Sequence, residues 1–238
     1  LDGTSVYAVF KDSRHQIWAT SLSGINRYNR ADDSFTRMKI LDITTVDIEE
    51  DKNGTIWFAT WGKGLYSYNN QTDTWSNFLN RPNDPNTIAG NQVNCLMMDE
   101  KGCLWVGTTT GLCYYDFEKQ QFKTITLNVP SNIICCIIDD DDVLWITTAK
   151  GLVRYNKLNG NCQVFTQKDG LLSDQVIFNS GFKSSTGKIY IGTATGFNAF
   201  CPKNIISNNY VPPVVVNRLE IFNKEVAIAD YGTLNDKA

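Results

Sequence analysis

The feature that most constrains this chain is a repeat. The stretch Asp51-Lys52-Asn53-Gly54-Thr55-Ile56-Trp57-Phe58-Ala59-Thr60, followed by Gly64-Leu65-Tyr66-Ser67-Tyr68, has counterparts on either side. Asp12 leads to Ile17-Trp18-Ala19-Thr20 and Gly24 to Tyr28. Asp99 leads to Leu104-Trp105-Val106-Gly107-Thr108 and Gly111 to Tyr115, and Asp139 to Leu144-Trp145-Ile146-Thr147-Thr148 and Gly151 to Tyr155. A weaker fifth copy runs Ile189-Tyr190-Ile191-Gly192-Thr193, then Gly196 to Phe200. The apolar residue ahead of the aromatic stands at 17, 56, 104, 144 and 189, so successive copies lie 39, 48, 40 and 45 residues apart. Such a period marks a repeat architecture, in which units that cannot bury their apolar faces alone do so against their neighbours.

Each copy reads as four short strands. A mostly apolar first strand (Val6 to Phe10, Val46 to Ile48, Val93 to Met98, Ile133 to Ile138, and from Val176) predicts burial on both faces. A tight turn such as Asp51-Lys52-Asn53-Gly54 follows, with Gly supplying a positive φ. The second strand carries the Trp, and a Gly-containing loop leads to a third strand ending in an aromatic. A fourth strand holds Phe35, Trp75, Phe122 or Phe165. This describes an all-β chain of about five β-propeller blades of four antiparallel strands, a partial or open propeller, at about 5–40, 44–79, 92–127, 132–166 and 175–205. The column Trp18, Trp57, Trp105 and Trp145, with Tyr190 replacing Trp in the fifth copy, is expected to fill the space between blades. The turn residues Asp12, Asp51, Asp99 and Asp139 are expected to bond nearby backbone amides. The run Asp139 to Asp142 lacks the Gly-spaced pattern of a calcium loop and reads as a solvated acidic turn.

Composition narrows function by exclusion. A net charge of −3 argues against a nucleic-acid surface, which normally carries a basic excess. No apolar run reaches the roughly 18 residues that cross a bilayer. The opening Leu1 to Val6 reads as the tail of a linker between repeats, as in a piece of a longer protein. Seven cysteines without a CxxC pair, beside the single His15, give no expectation of a metal or other cofactor. Cysteines inside apolar strands are expected to be small buried hydrophobes; Cys95 and Cys135 each stand four residues before a turn Asp.

With the repeats aligned, the chain resembles the two-component regulator propellers of hybrid sensors from gut Bacteroidetes. The resemblance rests on the blade core "D-x-x-G-x-[IL]-W-[IF]-[GA]-T…G-L-x-x-[YF]". It also rests on the connectors Asn83 to Ile88 and Asp169 to Asp174, and on the tail Pro212 to Lys224, similar to the opening of the Tyr-rich (YYY) β-sandwich of that family. It implies propeller repeats over 1–210 and the start of a truncated sandwich over 211–238. It further implies a non-catalytic periplasmic sensor segment of an inner-membrane hybrid histidine kinase, recognising an oligosaccharide and regulating glycan-utilisation genes. Self-association into dimers is implied too, with membrane contact only through regions C-terminal to this chain. In that family seven-bladed propellers precede the sandwich, so an open five-blade arc would expose edge strands and an apolar flank.

Residues that the repeat does not explain are the candidates for a ligand site. Trp61, in Trp61-Gly62-Lys63-Gly64, stands outside the repeat columns in a loop one residue longer than its equivalents. It has two readings: stacking on a sugar ring while Lys63 meets an acidic group, or packing on the neighbouring blade. Arg81 in the long connector from Leu79 to Gln92 is expected on the same face, with Lys150, Lys168 and Ser23 in comparable loops. Arg27 and Arg154 end third strands and are weaker candidates; His15 belongs to the opposite side. Two other classes compete. A streptogramin-lyase-type enzyme would need a general base at a central face, which a lone His on the wrong side does not supply. A protein-interaction propeller of the WD-repeat kind would show Gly-His and Trp-Asp dipeptides, absent from the sequence.

Overall fold

The structure, a computed structural model, describes residues 5–22, 24–38 and 43–205 and the backbone of Glu220–Ile221 and Lys224–Glu225. Five antiparallel sheets follow one another as meanders. The first holds β1 (Val6–Lys11), β2 (Ile17–Ser21), β3 (Gly24–Asn29) and β4 (Ser34–Arg37). The second holds β5 (Thr45–Glu50), β6 (Thr55–Thr60), β7 (Leu65–Asn69) and β8 (Thr74–Phe78). The third holds β9 (Val93–Met98), β10 (Leu104–Thr108), β11 (Leu112–Asp116) and β12 (Gln121–Ile125); the fourth holds β13 (Ile134–Asp140), β14 (Val143–Thr148), β15 (Gly151–Asn156) and β16 (Cys162–Phe165). The fifth has three strands, β17 (Val176–Lys183), β18 (Ile189–Thr193) and β19 (Gly196–Phe200). These are the five propeller blades expected, the last one strand short.

First strands meet first strands: β5 packs on β9, β9 on β13, and β13 on β17. Side chains tie this hub together where neighbouring strands share no ladder. Asp47 Oδ2 accepts the Leu96 N–H at 2.8 Å, and Asn94 Nδ2 donates to Ile134 O at 2.9 Å. Asn179 Nδ2 donates to Val46 O at 3.1 Å, joining the fifth blade to the second. Burial follows the hub. β9 and β13 are almost wholly buried, as their apolar runs require, but β1 and β17 are not. Val9 is 68% exposed and Ile177 50%, which corrects the expectation of two-sided burial for these strands. β1 packs against β5, and Ile177 and Phe178 of β17 face solvent.

The Trp column does fill the seams. Trp18 packs on Phe58 and Tyr68, Trp57 on Tyr115 and Phe117, Trp105 on Tyr155, and Trp145 on Phe200, at ring separations of 4.9–6.3 Å. In all four seams the partner includes the aromatic that ends the next blade's third strand. Each indole N–H also needs an acceptor once water is excluded. The turn Asp provides it: Asp12 to Trp18 at 2.9 Å, Asp51 to Trp57 at 3.0 Å and Asp99 to Trp105 at 3.0 Å. The second carboxylate oxygen holds the turn, as expected, accepting from Arg14 and Gln16, from Asn53 and Thr55, and from Cys103.

The fourth blade corrects the sequence alignment. Its hairpin is one residue tighter, with Trp145 opposite Ile138 where Trp105 stands opposite Met97. Asp140 therefore meets the indole, at 3.4 Å, and Asp139 is released from the turn. Asp139 instead accepts from Lys157 Nζ at 2.7 Å and from the Glu100 N–H of the third blade. The same slip puts Cys136, not Cys135, in the register of Cys95. The acidic run is not simply solvated: Lys183 pairs with Asp140 and Lys101 with Asp142. Lysines from three blades thus neutralise it.

The chain divides into two compact units, 1–202 and 203–238. In the second, β20 (Glu220–Ile221) and β21 (Lys224–Glu225) form a two-residue antiparallel ladder. The rest of the expected sandwich start at 211–238 lies outside the described residues.

Candidate functional site

The bulges of the first strands build the most distinctive feature of this propeller. In each blade the pairing of first and second strand slips near the start of the first strand, leaving residues without a partner. These are Tyr7, Val46, Asn94 and Cys135 in the first four blades, and Ile177 to Ser180 in the fifth. A bulge re-aims side chains that would otherwise alternate across the sheet. Tyr7, Val46, Asn94 and the segment Val176 to Asn179 line one cavity of about 540 Å3, and Trp61 joins them from the loop after β6. Asn179 reaches its place through a left-handed backbone, φ 52°. The lining is mostly apolar and contains no charged side chain. Its polar side-chain groups are the amides of Asn94 and Asn179, the Tyr7 hydroxyl and the Trp61 indole N–H.

The bulges lie at the end of each blade where the second-to-third-strand loops and the connectors meet. Those two sets are bonded to each other: Trp61 N–H to Thr44 O, Gly64 N–H to Asn91 O, Thr109 N–H to Gln92 O and Gly151 N–H to Asp174 O. Trp61, Lys63, Arg81, Lys150 and Lys168 all sit in these segments and are exposed. Trp61 packs on Tyr7 of the first blade at 5.6 Å between ring centroids, as its packing reading expects, and is 39% exposed. The four basic side chains are not drawn into the cavity lining, and among the described residues no ion pair joins them to an acidic group. Arg81 belongs to a braced connector, in which its N–H bonds Thr87 Oγ1 and its carbonyl accepts from Asp84. Lys168 lies in a single 3-10 turn, Gln167–Asp169. Ser23 is outside the described residues. Arg154 stands over its own blade's Trp145 at 6.0 Å, a packing role. His15 is exposed at the first hairpin turn, in a left-handed conformation (φ 63°) taken by Gly54 and Gly102 in the next two blades.

Tyr7, Asn94 and Asn179 are the cavity residues that the sequence reading did not single out. The available signal was a polar residue inside an apolar first strand, as Asn94 is between Val93 and Cys95. Asp47 carries the same signal. Burial pushes its carboxyl up to about 7, against the Leu96 and Ile48 amides that favour the anion. Two residues along the strand, burial and the Asp47 charge push Glu49 up to about 8. Burial likewise pushes the Cys113 and Cys136 thiols up to about 12, so neither presents a thiolate nucleophile at neutral pH.

Two stretches of the chain, residues 40–62 and 87–110, match the family model described as the two-component regulator propeller. Each runs from the end of a connector through the first strand and turn to just past the Trp strand. Over those two stretches the chain is similar to two-component regulator propeller repeats. It is similar to histidine kinase P4 of Formosa agariphila, at 24% identity over 76% of this chain and 17% of that protein. Among solved structures it is similar to the extracellular domain assigned to a hybrid two-component system of B. thetaiotaomicron. That likeness has 22% identity and a TM-score of 0.74, over 84% of this chain and 29% of that one. It is also similar to virginiamycin B lyase from Staphylococcus aureus, at 16% identity and a TM-score of 0.67, over 87% of this chain and 70% of that one. At these identities the structural likenesses speak for the fold alone. The chain spans less than a third of the kinase and of the two-component protein it resembles.

Proposed function

We propose that this chain is part of the extracellular or periplasmic sensor region of a hybrid two-component histidine kinase, and that it recognises an oligosaccharide without transforming it. The observation that carries the ligand class is Trp61. It is a large aromatic that no repeat column requires, left 39% exposed on the connector face at the edge of a cavity. Aromatic faces offer sugar C–H surfaces a contact that a polar loop does not, and apolar pockets with a few placed polar groups are the usual form of small-molecule sites. Lys63, Arg81, Lys150 and Lys168 surround that face as mobile-ended cations suited to longer or acidic parts of a glycan. The kinase and the regulated glycan-utilisation response belong to the longer protein, with the signal carried by paired copies.

A propeller lyase is the competing reading, favoured by the fold likeness. It lacks support from the side chains: His15 lies at a hairpin turn, and the cavity holds no group able to act as a general base. A protein-interaction propeller is the third. Thermal-shift screening against plant, host and microbial oligosaccharides, with a cyclic depsipeptide antibiotic as control, separates these readings. Stabilisation by one glycan class is expected, because a ligand present at 100 times its Kd adds about 2.7 kcal/mol. Stabilisation by the depsipeptide followed by its turnover would overturn the sensor reading, and a flat response to every glycan would remove the ligand class.

A further inference from the structure

The bulges give the cavity a chemistry narrower than that of the face around it. Five first strands depart from regular pairing near the same end, and the displaced residues of four of them converge on one space. Asn94 is only 1% exposed; its Nδ2 is committed to Ile134 O, and its Oδ1 has no partner. An unpaired amide oxygen in a buried position is uncommon, because it forfeits water without a replacement. It belongs to a residue that lines the cavity, but with under 1 Å2 of the oxygen exposed it is closed to a ligand there. Asn179, also lining it, uses its Nδ2 on Val46 O. What the cavity offers a ligand is therefore the amide oxygen of the exposed Asn179, the Tyr7 hydroxyl, and the tilted Tyr7 and Trp61 rings, with no formal charge.

We infer that the bulge-lined cavity takes an uncharged sugar unit, with its C–H face on Trp61 and Tyr7 and a ring hydroxyl donating to Asn179 Oδ1. This rests on the oligosaccharide reading and sharpens it: the cavity selects a neutral glycosyl residue and rejects a uronate or sulfated one. The volume, about 540 Å3, lies within the ~300–1,000 Å3 usual for small-molecule sites. A carboxylate placed there would lose its water and find no cation, since Lys63 and Arg81 stand outside the lining. A hydroxyl donor, in contrast, would find the Asn179 amide oxygen and the Tyr7 hydroxyl.

The test uses the whole 238-residue chain and four probes: methyl β-D-glucopyranoside, methyl β-D-galactopyranoside, methyl β-D-glucuronide and cyclohexanol. Saturation-transfer NMR and tryptophan fluorescence read binding, each repeated on Asn94→Leu, Asn179→Ala and Tyr7→Ala. At least one neutral glycoside is expected to bind tenfold or more tightly than the glucuronide. Its affinity should fall several-fold or more in Tyr7→Ala and Asn179→Ala, and less in Asn94→Leu. Asn179→Ala and Tyr7→Ala alter exposed side chains, so they decide the matter even where Asn94→Leu fails to fold. The inference is overturned by equal binding of the glucuronide, by cyclohexanol competing as well as the glycoside, by no binding of either neutral glycoside, or by unchanged affinity in the exposed-site variants. An oligosaccharide that stabilises the chain yet binds all three variants unchanged would remove the cavity while leaving the sensor reading intact.

Discussion

The seam between the second and third blades and the open side of the fifth blade present the same repeat position in opposite surroundings. Trp57 is 3% exposed, packed on Tyr115 and Phe117, with its indole N–H closed by Asp51. Tyr190 holds the equivalent place in the fifth blade and is only partly buried, between Phe182 and Phe197, which are 63% and 65% exposed. Its turn has Ser184 for Asp, closed by a hydroxyl that bonds Lys188. An indole in a dry seam requires an acceptor, whereas a partly wet phenol can use water. The Asp–Trp pair is therefore the signature of a covered seam, and where the cover is lacking both members change together.

Truncating each ring separates the two positions most widely. Trp57→Ala should lose about 3–5 kcal/mol of unfolding free energy, as deletion of a large buried ring does. Tyr190→Ala should lose no more than about 1 kcal/mol, measured for both as urea midpoints. Equal losses would show that the two positions are not distinguished by burial. The lysines around the acidic run offer a second contrast. Lys157 is 9% exposed between Asp99 and Asp139, so Lys157→Met strands two carboxylates and should cost about 3–5 kcal/mol. Lys101→Met, at an exposed pair with Asp142, should leave the urea midpoint nearly unchanged. If both are mild, the run is solvated after all.

A smaller effect should appear with pH in the hub. The folded pKa of Asp47, about 7, lies above the ordinary carboxyl value, so folding favours its protonated form. Its stabilising contribution is complete below pH 4, and declines as pH rises through about 7; Glu49 extends the decline to about 8. The melting temperature should therefore rise as pH is lowered from 8 toward 5, and Asp47→Asn should flatten that slope. A steeper slope in the variant would contradict the assignment.

Much of this contrast was legible in the sequence, because period and residue type carry it. The Trp and Gly-plus-four aromatic columns placed the seams, and the turn Asp announced its backbone bonds. The indole bond was hidden because no spacing rule says which atom the second oxygen meets. The slip in the fourth blade was hidden by chemistry: with Asp at 139, 140, 141 and 142, a hairpin one residue tighter still finds a carboxylate at the indole. For the candidate site, Trp61 stood out as the residue the repeat left over, but the cavity beside it did not. Its walls arise from bulges, and residues as different as Tyr7, Val46 and Asn94 occupy them without a common letter to mark the place.

The sensor reading requires that the connector face around Trp61 bind a glycan. Calorimetric titration of the oligosaccharide giving the largest thermal shift, into the parent chain and into Trp61→Ala, tests it most directly. Affinity should fall at least tenfold in the variant while its melting temperature without ligand stays within a few degrees of the parent. Unchanged affinity in a folded Trp61→Ala chain would contradict the account.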